Sequence, residues 1–288
     1  MFLTVRHTTA YSYDHPVLLD PHIIRLSPRP DSYKRLLERA LTIIPEPDGS
    51  SLNLDQNETL SHLVWFKRNT SSLTVISRLV LELNEMNPFD YIVQPPSCLN
   101  LPMQYPFEIS DQLRPFMITR PVNEKVKDFS LGIIQESKNN LVEFASLLGR
   151  KIRQNCSYEI RDTGEPHAPE KTLSIRRGTC RDMAVLYVAA AQVAGLAARF
   201  VSGYYFDHSP KFPQLHAWAE IFIPGGGWRG YDPTLGLACY GHHIPLAAAA
   251  VPFQAAVIEG TFVGSSSSQM EVNLEYEYLK QPSRPVEF

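Results

Sequence analysis

Cysteine is scarce in this chain, and the four present, Cys98, Cys156, Cys180 and Cys239, form no CxxC pair. That scatter argues against a disulfide framework and fits a reduced compartment. No run approaches the roughly 20 apolar residues of a membrane span. The opening MFLTVRHTTAYSYDHPVLLD lacks a basic stretch followed by an apolar core and a small-residue cleavage site, so no signal peptide is expected and a cytoplasmic location is. Charge of one sign is lacking too. With 27 basic and 30 acidic residues the formal net charge is −3, and nothing in that balance points to nucleic acid or an anionic membrane as a partner. There is no fixed-period repeat, and the only low-complexity patches are AAAA at 247–250 and SSSS at 265–268, which read as a buried wall and a loop.

At 288 residues the chain has room for two domains, or for one large domain with an appended module. Its first eighty or so residues alternate apolar and polar positions in short runs, as in FLTVRHTTAYSY and LTVISRLVLEL, which predicts strands. From Asn84 to Pro121 seven prolines fall within 38 residues, predicting an ordered linker without a helix or a central strand. Helical spacing then begins. Leu141, Phe144, Leu148 and Ile152 recur at steps of three and four, and Cys180 to Ala194 is apolar nearly all round, the pattern of a buried helix, with Gly195 placed as its C-terminal cap. ARFVSGYYF, LHAWAEIFI, WRGYDPT and MEVNLEYEYL follow as strands. The expected class is α+β, with an N-terminal β-rich domain and its proline-rich linker over residues 1–118 and a catalytic domain over 119–288.

Cys180 opens the buried helix, and His216 and Asp232 lie on the two strands that flank GGG at 225–227. A thiol attacks as thiolate, and a helix N-terminus, with roughly half a positive charge, together with a nearby imidazolium stabilises that anion. A carboxylate completes the set by orienting the imidazole. A hairpin turning near Gly225 or Gly226 sets His216 and Asp232 diagonally opposite with equal parity, so both face one side of the sheet. Each residue alone has an ordinary reading, as a packed thiol, a core histidine and a turn-forming aspartate. The three together, in this order, do not.

The segments RRGTCRDMA, LAARFVSGYY, LHAWAEIFIPGGGW and GYDPT resemble the transglutaminase-like superfamily, and RHTTAYSYDHPVLLDPHIIRLSPRP is similar to the N-terminal region of bacterial transglutaminase-like proteins, often described as candidate cysteine proteases. The resemblance implies a papain-like core with Cys180 as nucleophile, His216 as general base and acid, and Asp232 as its orienting partner. Bacterial relatives commonly show CQDFAH where this chain has CRDMAV. Arg181, Met183 and Val185 are therefore departures, and they bear on substrate preference.

Around this set, the Cys180 backbone N–H is the natural first oxyanion donor, with Gln154, Asn155 and Tyr158 as candidates for the second. Asp182 reads as structural, an acid that offsets the helix dipole in the first turn. Trp218 and Trp228 fit the core better than a groove wall, and Gly203 and Tyr204 are open. His242 and His243 are adjacent, so on a strand they face opposite ways, and no pair of zinc-competent residues has metal-ligand spacing. NLDQNE at 53–58 has Glu58 where a calcium loop needs glycine and Val64 where it needs glutamate, which makes it a turn. No metal or cofactor is expected. The expected partner is a peptide or protein substrate, cleaved at an amide through a thioester. The alternatives are acyl transfer to an amine and a non-catalytic peptide-binding module.

Overall fold

The structure is a computed structural model that describes residues 1–30, 33–85, 87–117, 122–161, 164–206 and 215–280. It begins with six strands: β1 (Phe2–Leu19), β2 (His22–Ile24), β3 (Lys34–Ile44), β4 (Gly49–Leu54), β5 (Leu60–Trp65) and β6 (Asn69–Leu83). Period-two burial carries them, with Leu3, Val5, His7 and Thr9 inward on β1 and Leu73, Val75, Ser77 and Leu79 inward on β6. Asn53 and Leu54 of the NLDQNE segment end β4, and residues 55–58 are a turn leading to β5, where Asp55 Oδ1 accepts the backbone N–H groups of Asn57 and Thr59 at 2.8 and 2.9 Å.

The proline-rich stretch departs from expectation, because it does contain a helix, α1 (Phe107–Leu113). No proline falls between Pro106 and Pro115. Pro106 sits at the helix start, where its missing N–H costs nothing, and the helix closes before Pro115. The chain then builds α2 (Glu124–Glu136), α3 (Leu141–Asn155), the short strand β7 (Ser157–Tyr158), α4 (Pro169–Ile175), the short strand β8 (Arg177–Gly178) and α5 (Cys180–Val193). Helix α5 packs on α2, α3 and α4 and against a sheet, which is why its sequence is apolar nearly all round. It ends as expected. Gly195 has φ of 82°, and Leu196 N–H bonds Ala191 O at 3.1 Å while Gly195 N–H bonds Gln192 O at 3.0 Å, closing the helix with a left-handed residue.

The sheet beneath α5 contains β9 (Ala198–Tyr205), β10 (Leu215–Ile223), β11 (Gly227–Asp232), β12 (Leu237–Ala238) and β13 (His243–Ala249), in the order β12-β11-β10-β9-β13. All its pairings are antiparallel. Ala217, Ala247 and Ala249 pack with Cys180 and Ala184, and these small side chains let the start of α5 approach the sheet closely. The alanine run is thus a buried wall at 247–249, and 265–267 is a loop.

Three more strands follow, β14 (Ile258–Glu259), β15 (Phe262–Val263) and β16 (Ser268–Leu279). They fall within the stretch the sequence assigns to the catalytic unit, yet they pair with the N-terminal strands. β14 lies beside β2, and β15 and β16 lie beside β1, with Phe2 opposite Leu279 and Tyr13 opposite Ser268. One core spans both halves: Leu3, Val5, Leu79 and Leu81 pack in the same cluster as Tyr204, Phe206, Ile244 and Leu246.

Candidate active site

Thr179 caps α5 through a capping box, its hydroxyl facing Asp182 N–H at 3.4 Å while Asp182 Oδ2 accepts Thr179 N–H at 2.8 Å. Asp182 is fully buried and accepts four further hydrogen bonds, one of them from the Thr179 hydroxyl at 3.1 Å. Arg161 donates to both oxygens at 2.8 and 3.0 Å, and His167 N–H donates at 2.6 Å. Burial alone would raise this carboxyl, but Arg161 and the backbone donors hold it down at about 2. Asp182 is therefore a permanent anion that fastens Arg161 and His167 to the first turn of α5. Glu159 and His167 converge on it, with one ligand-type atom from each of the three residues within 4.8 Å. Arg161 already occupies the charge position, so the group is an ion-pair network.

β10 and β11 pair as the sequence predicts, turning at Gly225 so that Ala219 opposes Tyr231 and Ile223 opposes Gly227. His216 and Asp232 consequently meet, and His216 Nε2 donates to Asp232 Oδ2 at 2.7 Å, both side chains being buried. Asp232 Oδ1 accepts Thr234 N–H and Leu235 N–H at 2.8 and 3.3 Å. With Nε2 engaged, Nδ1 is the ring atom left to face the Cys180 sulfur, and it is buried. Burial would lower the His216 imidazole. The charge and hydrogen bond of Asp232, with the Cys180 sulfur adding to them, override it and carry the ring up to about 10. Asp232 is pulled the other way, well below the usual carboxylate range, because its pairing with His216 and His243 outweighs its own burial.

His243 belongs to this site and was not found by sequence. Its Nε2 donates to the same Asp232 Oδ2 at 3.1 Å, and its Nδ1 accepts Tyr240 N–H at 3.3 Å, which sets the neutral tautomer. Burial pushes its proton affinity down, against the pull of Asp232. His242, facing the other way, pairs its Nδ1 with Tyr278 Oη at 2.9 Å. No spacing in the chain signals the contact of His243 with Asp232. It requires the sheet order in which β9 separates β10 from β13.

Cys180 and His216 open on a cleft of about 740 Å³ whose walls include Tyr158, Arg181, Met270 and Val272. Of the three candidate second oxyanion donors, Tyr158 is the one in the cleft, fixed there because β7 pairs with β8 just before Cys180. Gln154 and Asn155 are exposed at the end of α3. Trp218 is buried in the core, and Trp228 lies under the guanidinium of Arg199, whose Cζ is 4.0 Å from the ring centroid; neither lines the cleft. Gly203 and Tyr204 are structural as well. A Cβ at Gly203 would overlap Ile244 O and the Trp218 ring, and the buried Tyr204 hydroxyl hydrogen-bonds His7 Nδ1 at 2.8 Å.

Residues 127–233 match the Transglutaminase-like superfamily, and residues 3–82 match the Bacterial transglutaminase-like N-terminal region. The chain thus carries a transglutaminase-like core and a bacterial transglutaminase-like N-terminal region. Its transglutaminase-like fold is shared by a crystal structure from Cytophaga hutchinsonii named as a candidate cysteine protease, with a TM-score of 0.73 at 20% identity over 100% of this chain and 94% of that one. An uncharacterised protein of Mycobacterium tuberculosis is 28% identical over 248 residues, covering 80% of this chain and 77% of the relative. Another, from Mycobacterium leprae, is 24% identical over 283 residues, covering 96% and 99%. Of the departures in this transglutaminase-like motif, Met183 is packed in the core and Arg181 reaches the cleft. The Arg181 guanidinium donates to Gly164 O and Arg161 O at 3.0 and 2.6 Å, bracing the segment before α5.

Proposed function

We propose that this protein is a thiol-dependent hydrolase of peptide or isopeptide bonds, with Cys180 as nucleophile, His216 as general acid and base, and Asp232 as the group that orients His216. The observation that carries the reading is the 2.7 Å Asp232–His216 bond, which leaves a buried Nδ1 beside a thiol at a helix N-terminus. The Cys180 sulfur attacks the amide carbonyl carbon, and charge develops on its oxygen near the N–H groups at the start of α5. The amide C–N bond breaks as His216 passes a proton to the leaving nitrogen, and a thioester remains. Water attacks the thioester, giving its proton to His216. The C–S bond then breaks, the acid departs and the thiol is restored.

Hydrolysis, in preference to transfer to an amine, needs no second binding site for an acceptor. A cytoplasmic setting is part of the same proposal, supported by four cysteines that are all unpaired. Iodoacetamide at pH 6 should label Cys180 far ahead of the other three cysteines, as read by peptide mapping. A peptide and isopeptide library offered with a millimolar primary amine should give mainly hydrolysed product that disappears in Cys180→Ala. Labelling of Cys180 no faster than that of a free thiol overturns the thiol chemistry, and predominant amine adduct reassigns the second half-reaction.

A further inference from the structure

The apolar face of β16 is longer than the core that covers it. Leu274, Tyr276 and Tyr278 share one face of the strand and are half-buried against Tyr204, Phe206, Ile244 and Leu246. The Phe206 and Tyr276 rings lie 4.7 Å apart, and Tyr278 Oη donates to Phe206 O at 3.1 Å. Two and four residues before Leu274 the same face continues with Val272 and Met270, which are 45% and 49% exposed. These two side chains line the cleft that holds Cys180 and His216. The opposite face, with Glu271, Glu275 and Glu277, is acidic. Ile160, also on the cleft wall, is 69% exposed. Exposed apolar side chains gathered at one concave site mark a place where an apolar group docks.

The charges of the cleft narrow the choice of occupant. No carboxylate lines it among the described residues, whereas Arg161 and Arg181 do. Arg161 is neutralised by Asp182, and Arg181 is held by two carbonyls. A lysine side chain entering here would lose water and meet no anion.

We infer that β16 is the specificity wall of the cleft, and that the acyl-donor peptide lies there with an aliphatic side chain, at one of the two residues preceding the bond attacked, against Met270 and Val272. This rests on Cys180 being the nucleophile. Strand β16, although paired with β1 of the N-terminal sheet, thus selects the substrate for a thiol on another part of the fold.

The test uses alanine-based peptidyl chloromethyl ketones carrying Leu, Gly, Asp or Lys at either of those two positions, with Cys180 modification followed by intact mass. The Leu probe should react at least about tenfold faster than the Lys probe. Met270→Asp combined with Val272→Asp should bring the Leu rate down to the Gly rate, while iodoacetamide, too small to use the wall, labels Cys180 at the unaltered rate. Glu271→Ala, on the opposite face of the same strand, should keep the Leu preference. A wild-type protein without Leu preference, or a double variant that retains it, overturns the inference and leaves the thiol chemistry standing. Failure of iodoacetamide to single out Cys180 removes the proposed function first, and the wall with it.

Discussion

Strand β10 carries two buried polar centres four residues apart, and they are built on opposite plans. At Glu220 a buried carboxylate is held by two guanidiniums, Arg199 at 2.6 and 2.7 Å and Arg29 at 3.4 Å. At Asp232 a buried carboxylate is held by two imidazoles, His216 at 2.7 Å and His243 at 3.1 Å. Guanidinium does not release its proton in a protein and imidazole does. The first centre is a fixed clamp, in which Arg29 ties the N-terminal half to the sheet under α5. The second sets its carboxylate between one imidazole raised by that carboxylate, His216, and one lowered by burial, His243, and can exchange protons with whatever stands at His216 Nδ1. Burial and pairing alone therefore do not mark a reactive site. The chemical type of the cation does.

The comparison breaks first at Asp232. Asp232→Asn should leave the fold intact and lower kcat by about 10⁴, because an amide cannot stabilise the imidazolium and favours the wrong tautomer. Near-normal turnover would mean that another group orients His216. A pH series sharpens the same point. His216 is raised from its ordinary value to about 10, so the stability it contributes is complete below about pH 6.5 and is lost as pH rises through about 10. Thermal midpoints should fall across that window in the wild type, and this slope should flatten in Asp232→Asn.

Glu220→Gln should do the reverse, costing about 3–5 kcal/mol of stability by leaving two buried guanidiniums without their anion. Iodoacetamide labelling of Cys180 in the folded fraction should not change. His243→Phe removes a single donor from Asp232 and should lower turnover about tenfold to a hundredfold, the worth of one hydrogen bond to a charged group. Asp182→Asn comes last. Its effect on turnover should stay within about tenfold, with its cost appearing in the thermal midpoint, since Asp182 fastens the helix start and takes no part in proton transfer.

Local rules carried much of this into the sequence. Apolar spacing marked α3 and α5, Gly195 marked the end of α5, and glycines at 225–227 set the register that joins His216 to Asp232. The Thr179–Asp182 spacing of a capping box was also there to read. What stayed hidden depends on distant pairings. Arg161 reaches Asp182 from another segment, His243 reaches Asp232 across the width of a sheet, and β16 crosses the molecule to β1. The sequence of β16 alternates cleanly and so announces a strand, but alternation does not name the neighbour. Helix α1 was missed for a simpler reason, since proline density over 84–121 conceals a proline-free interval long enough for two turns.

The pairing of β16 with β1 also sets an order of events during synthesis. The ribosome releases Cys180, His216 and Asp232 before the strand that walls their cleft, so a nascent or truncated chain ending before Ser268 holds all three residues beside an unfinished pocket. In such a chain the backbone of Phe2–Tyr13, which β16 covers along its whole length, is an open strand edge that invites pairing with other chains. Completion of β16 closes that edge and adds Met270 and Val272 to the cleft wall in one event.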